Sequence, residues 1–270
     1  MYFDLISDLH VDRNDWFKPE KQMYDWESEK KSDTLVIAGD MADGIKLAIR
    51  LCGEASEFYD EVIIVDGNHE HFRSGMTVSG GCKIIADYCK KNPKVKFLNR
   101  QHGSNFVKIG SCAFNGADGW YNFGFDCGTL TAQQYKWKSS NDAKYISWDD
   151  YPLELANKDT KFLADTVRLL QHDEDITSIV VVTHTMPIED AFGEYASIDY
   201  SFFFNLGQYI NSSLSLVWKI DTKNKIKKWC FGHTHAERDF YKHGIHFIAN
   251  PRGYKYEEFV NRRIIQVTVD

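Results

Sequence analysis

Five short apolar runs, each ending abruptly in oxygen- or nitrogen-bearing side chains, constrain this chain most. The run at 3–6 leads into Ser7-Asp8-Leu9-His10, and the run at 34–38 into Gly39-Asp40. The run at 62–65 leads into Asp66-Gly67-Asn68-His69-Glu70, that at 178–182 into Thr183-His184, and that at 228–231 into Gly232-His233-Thr234-His235. Runs this short and apolar on both faces fit buried central strands. Helical patterns lie between them. Residues 45–58 carry a broad apolar stripe, 80–88 read similarly, and 158–170 place Leu163, Val167 and Leu170 on one face. Alternating strands and helices predict an α/β fold. Further strand-like runs lie at 95–98, 112–115, 245–249 and 264–269. No helical pattern flanks the last two, which predicts antiparallel additions and hence a mixed sheet or two sheets.

Composition narrows the class. The 270 residues are 43% hydrophobic and 26% charged, enough for a buried core and too apolar for wholesale disorder. We expect one domain over 1–270, with excursions around 117–152 and 187–212 that are rich in aromatic residues. Such long connections serve as binding loops or lids, or merely pack onto the body. A net charge of −7 argues against binding long nucleic acid, although bound metal ions could make a local cationic pocket. Cys52, Cys82, Cys89, Cys112, Cys127 and Cys230 show no CxxC spacing and read as reduced, mostly buried thiols. No run approaches the ~20 apolar residues of a membrane span, and the N-terminus lacks a signal-peptide pattern. The expectation is a cytoplasmic protein with no membrane partner.

In open α/β sheets, ligands gather beyond the carboxyl ends of the strands. Five of the ten histidines stand at such ends here, beside Asp8, Asp40 and Asn68. In Asp8-x-His10 and His233-x-His235, residues two apart on extended chain point the same way, so both can face one ion. The glycines of Gly39-Asp40 and Gly67-Asn68-His69 permit a tight turn at the strand end. Asp40, with two oxygens, can bridge two ions. Imidazoles mixed with carboxylate and amide oxygens suit a first-row metal pair: Mn, Fe, Zn, Ni or Co, with Mn favoured.

The ordered blocks Asp-x-His, Gly-Asp-x-x-Asp, Gly-Asn-His-Glu, a strand-end His and Gly-His-x-His span residues 8–235 and resemble the calcineurin-like metallophosphoesterase superfamily. The resemblance implies a four-layer α/β/β/α sandwich of two mixed sheets with a dinuclear metal site. It implies that Asp8, His10 and His235 hold one metal, that Asp40 bridges, and that Asn68, His184 and His233 hold the other. It gives His69 the role of acid or phosphate contact and makes Asp43 its orienting partner; the alternative for Asp43 is a helix N-cap. His71 reads as an exposed loop histidine. Arg252, in Asn250-Pro251-Arg252-Gly253-Tyr254, and Asn68 are candidate substrate contacts; a solvated turn arginine is the alternative for Arg252.

These residues predict a metal-dependent phosphoric ester hydrolase acting on a phosphorylated small molecule or nucleotide. Two ions about 3.5–4 Å apart can polarise phosphoryl oxygens and hold a bridging hydroxide that attacks phosphorus. The competing readings are a nuclease on short or single-stranded nucleic acid and a non-catalytic scaffold of the same fold. A single structural zinc fits poorly, because such sites close with four ligands, often cysteines.

Overall fold

The computed structural model describes residues 1–13, 22–124, 129–196, 206–257 and 263–269. The five apolar runs are parallel strands in two sheets. The first sheet contains β1 (Tyr2–Ile6), β2 (Thr34–Ala38), β3 (Glu61–Val65), β4 (Val95–Phe97) and β11 (Ile265–Thr268), in the order β11-β1-β2-β3-β4. The second contains β5 (Phe106–Ile109), β6 (Cys112–Ala117), β7 (Ser178–Thr183), β8 (Ile226–Phe231), β9 (Arg238–Lys242) and β10 (Ile245–Ala249), in the order β5-β6-β7-β8-β10-β9. Strands β11, β5 and β9 run antiparallel to their neighbours, so both sheets are mixed.

Alternation along each strand builds the layers. Phe3, Leu5, Val36, Ala38, Ile63 and Val65 face the second sheet, where they pack with Phe114, Val180, Val182, Cys230 and Ile248. The alternate residues Leu35, Ile37, Val62 and Ile64 pack with α1 (Trp26–Glu29), α2 (Ile45–Phe58) and α3 (Val78–Lys91). The excursion after β6 holds α4 (Leu130–Trp137) and α5 (Asn141–Tyr145) and leads into α6 (Pro152–Leu170). The outer face of the second sheet packs Val181, Trp229, Phe231 and Phe247 under α6 and α7 (Ser215–Lys219). The result is the expected α/β/β/α sandwich.

Three features depart from the sequence reading. Strand β10 is parallel to β8, and only its other neighbour, β9, is antiparallel. The edge strands β5 and β9 escaped prediction because they alternate exposed and covered residues and lack a continuous apolar run. Helix α6 begins at Pro152, a residue suited to the first helical position, six residues before the expected start.

The aromatics of the first excursion divide in favour of packing: Trp120, Tyr121, Phe123 and Trp137 are buried in the core under the first sheet's helices. Phe192 of the second excursion is buried too, whereas Tyr200, Phe202, Phe203 and Phe204 lie outside the described residues. The described cysteines are free thiols; Cys127 lies outside the described residues. Among the described residues, no helix is long and apolar enough to cross a membrane.

Candidate metal centre

The residues that follow β1, β2, β3, β7 and β8 meet. Donor atoms of Asp8, His10, Asp40 and His235 lie within 4.8 Å of one another, as do those of Asp40, His184 and His233. Asp40 belongs to both groups. Its Oδ2 is 3.2 Å from His184 Nε2 and 3.7 Å from His10 Nε2. Asn68 Oδ1 is 3.2 Å from His184 Nε2, which brings all seven expected donors together.

The backbone is bent to achieve this. Asp8, His10, Asp40, His233 and His235 all have φ between 39° and 71°, a region that side chains other than glycine seldom adopt. Close approach fixes two glycines. A Cβ on Gly39, itself at φ 79°, would lie 2.5 Å from His184 Nδ1, and one on Gly67 would lie 2.4 Å from Asp40 Oδ1.

Hydrogen bonds aim the imidazoles. His184 Nδ1–H donates to Ala38 O at 2.9 Å, and His233 Nε2–H donates to Gln208 O at 2.9 Å. His235 Nδ1–H donates to Glu257 at 2.9 Å. Each bond leaves the other ring nitrogen facing the centre, able to give its lone pair to a cation. Those nitrogens converge: His184 Nε2 is 3.1 Å from His233 Nδ1, and His235 Nε2 is 2.9 Å from His10 Nε2. Each pair is held at this distance by a shared proton, which a cation can replace. The donor set therefore fits two divalent cations, one on each side of Asp40.

Without a cation, charge is shared unevenly: burial would lower His184, but Asp40, then Asp8, raise it well above the usual imidazole range, so its Nε2 holds a proton toward Asp40. Burial opposes ionisation of Asp40, but His184, His69 and His10 outweigh it and hold the carboxyl well below its usual range. Burial, then His184, push His233 down to about 3, which keeps its ring neutral. Burial would also lower His69, but Asp40 and the bonded Asp43 raise it to about 9.

His69 Nδ1 lies 2.6 Å from Asp43 Oδ1, and its Nε2 lies 3.9 Å from Asp40 Oδ2. Asp43 does not cap α2; Gly44 holds that position without a side-chain bond. Arg13 pairs with Asp43 from the other side. Arg252 is not among the described residues that line the cavity. Only 7% exposed, it lies over the Tyr24 ring at 5.2 Å, with Nη1 3.4 Å from Leu9 O. The expectation for His71 is overturned: it is fully buried, with Nε2 2.9 Å from Asp66 Oδ2, because the turn after Asn68 folds inward against α3.

The sequence assigned no role to several supporting residues, although Glu70 stands in its Gly-Asn-His-Glu block. Glu70 accepts hydrogen bonds from the amides of Asp40, Met41 and Gly67 at 3.1, 2.6 and 2.7 Å, which clamps the Asp40 loop. Burial and Asp40 push its carboxyl up to about 8. Asp142, from the first excursion, accepts from Asn68 Nδ2 at 2.9 Å and so turns Asn68 Oδ1 toward the centre. Tyr254 packs its ring at a tilt against His10, with centroids 4.5 Å apart, and its hydroxyl is 3.5 Å from His69 Nε2. The centre opens into a cavity of about 640 Å³ whose walls include Arg13, Phe72, Tyr145, Tyr209, Tyr254 and Tyr256. Position in the NPRGY segment was the only available pointer to Tyr254.

Comparison with known proteins agrees with this geometry. Residues 1–237 match the sequence profile of the calcineurin-like phosphoesterases. An uncharacterized protein of Acanthamoeba polyphaga mimivirus is 23% identical over 276 residues, which cover 93% of this chain and 91% of that protein. The phosphopantetheinyl hydrolase of Mycobacterium tuberculosis superposes with a TM-score of 0.72 at 19% identity, covering 99% of this chain and 96% of that one. A putative 5′-nucleotidase of Staphylococcus aureus gives 0.51 at 12% identity, covering 100% of this chain and 51% of that one. At these identities the two structures show a shared fold.

Proposed function

Because the chain belongs to the calcineurin-like phosphoesterase family and is a phosphoric ester hydrolase, we propose that it cleaves a phosphate monoester or diester of a small molecule or nucleotide at this centre. The observation that carries the reading is Asp40 Oδ2, placed between two pairs of converging imidazole nitrogens. Asp8, His10 and His235 would hold one divalent ion, Asn68, His184 and His233 the other, with Asp40 shared. When bound, the ions supply Lewis-acid polarisation of the phosphoryl group and acidify water.

The chain's own groups do the rest. Asp43 holds His69 Nδ1, which leaves Nε2 to carry a proton toward the leaving oxygen. Tyr254, whose hydroxyl reaches the same nitrogen, positions that oxygen beside it. Asp142 fixes the Asn68 rotamer, so that the amide oxygen would be free to hold an ion and the side chain would lie beside the substrate phosphate. The aromatic cavity walls would hold the ester's organic part, and their size favours a ring-bearing or extended group over inorganic phosphate alone. We read residues 1–270 as one domain working in the cytoplasm, with manganese the first ion to supply.

The test is a substrate panel after chelation and reloading with Mn, Co, Ni, Zn or Mg in turn. The panel holds a chromogenic monoester, a chromogenic diester, a 5′-nucleotide, a phosphopantetheine ester and single-stranded DNA. Turnover of a small ester should vanish on chelation, return on reloading, and be lost in His184→Ala with the circular-dichroism spectrum unchanged. Near-native turnover in His184→Ala, or turnover indifferent to chelation, defeats the proposal.

A further inference from the structure

A separate trio of donors brackets the loop that carries Asn68 and His69. Asp66 follows β3 directly, His71 ends the short turn His69–His71, and Cys82 stands on α3. Their donor atoms lie within 4.8 Å of one another, and all three residues are buried, at 1%, 0% and 3% exposure. Asp66 Oδ2 is 2.9 Å from His71 Nε2 and 3.2 Å from Cys82 Sγ. Tetrahedral zinc, with bonds of ~2.0–2.1 Å to N or O and ~2.3 Å to S, sets such separations at about 3.3–3.6 Å. The two separations from Asp66 need widen by only a few tenths of an ångström to match.

The surroundings ask for positive charge. Asp66 Oδ1 and Asp118 Oδ2 are buried and have no hydrogen-bond partner among the described residues. Arg100 is already paired with Asp159 at 2.7 Å. Burial, then Asp66, push the Cys82 thiol up, so without a cation the sulfur keeps its proton. A bound divalent ion inverts that preference, and the thiol proton leaves to solvent.

We propose that Asp66, His71 and Cys82 form an additional buried metal site for a thiolate-tolerant divalent ion such as zinc, which pins both ends of the Gly67–Glu70 loop. The mixed S, N and O donors select zinc or cobalt over magnesium or calcium. This goes beyond the phosphoesterase reading and does not depend on it, because the donor sets share no residue.

The test uses the full chain produced in cobalt-supplemented medium, and then dialysed against a chelator until the cavity-facing centre is stripped. About one equivalent of cobalt should remain, with a near-ultraviolet thiolate-to-cobalt charge-transfer band. The cavity-facing centre has no cysteine and cannot give that band. Cys82→Ser should lose the band and the retained equivalent while keeping metal-dependent esterase turnover after reloading. Should Cys82→Ser fold poorly by circular dichroism, His71→Gln must lose the retained equivalent instead. The proposal is overturned if the wild-type chain shows no band, or if the band survives in Cys82→Ser. A wild-type chain that shows the band but no esterase turnover after reloading would count against the phosphoesterase reading alone.

Discussion

Asp40 and Asp66 stand just beyond paired strands of one sheet, β2 and β3, and are equally buried, at 1% exposure. Their neighbourhoods differ in kind. Asp40 faces His184 and His10, which follow strands of different sheets, so its cluster is assembled across the seam between the two sheets. Asp66 faces His71 and Cys82, both from the first sheet's own connections, so its cluster is local. The Asp40 cluster uses oxygen and nitrogen alone and opens into a cavity; the Asp66 cluster includes sulfur and is sealed. Burial does not separate a reactive acid from a structural one. Access to a cavity, and dependence on distant parts of the chain, do.

Substitutions can break that contrast or sharpen it. The largest effect belongs to Asp40→Asn. It should lower kcat/KM by far more than the ~10–100-fold typical of groups that only orient a ligand, and should reduce metal content at the cavity. Steady-state kinetics with elemental analysis would check this; a normal metal load with high turnover breaks the contrast. Next comes His69→Ala, expected to cost about 10²–10³-fold in kcat with metal content unchanged. An unchanged kcat removes the proton-carrying role. Asp142→Asn should follow at about 10-fold, because Asn68 loses the carboxylate that sets its rotamer. The smallest is Tyr254→Phe, which removes one hydroxyl at a net worth of about 1 kcal/mol, or roughly fivefold in kcat. An equal fall in Tyr254→Ala would assign the effect to the hydroxyl, whereas a much larger fall would point to packing against His10.

Much of this was legible beforehand, for a physical reason. Asp8, Asp40, His184 and His233 follow unbroken apolar runs, and a run that must be buried announces where it ends. The partners that aim them were not legible. Asp142 sits on a five-residue helix, Glu257 and Tyr254 in a loop after β10, and Gln208 in a short turn. Nothing in their local sequence says which strand end they reach, because that is fixed by long-range packing. His71 was misread for the same reason: a histidine after a turn looks exposed until α3 covers it. Missing the edge strand β9 also caused the error over β10, since the antiparallel partner of β10 was the strand left out. Arg252 carried a motif-like context, and its guanidinium packs over the Tyr24 ring.

The left-handed backbone at Asp8, His10, Asp40, His233 and His235 has a consequence for directed evolution. Each such residue carries strain on the order of 1 kcal/mol that glycine relieves. A library selected for heat tolerance alone would be rewarded for replacing these five side chains first, and the hardiest survivors would be inert. Thermal hardening of this protein must therefore be screened with turnover as a second criterion from the opening round.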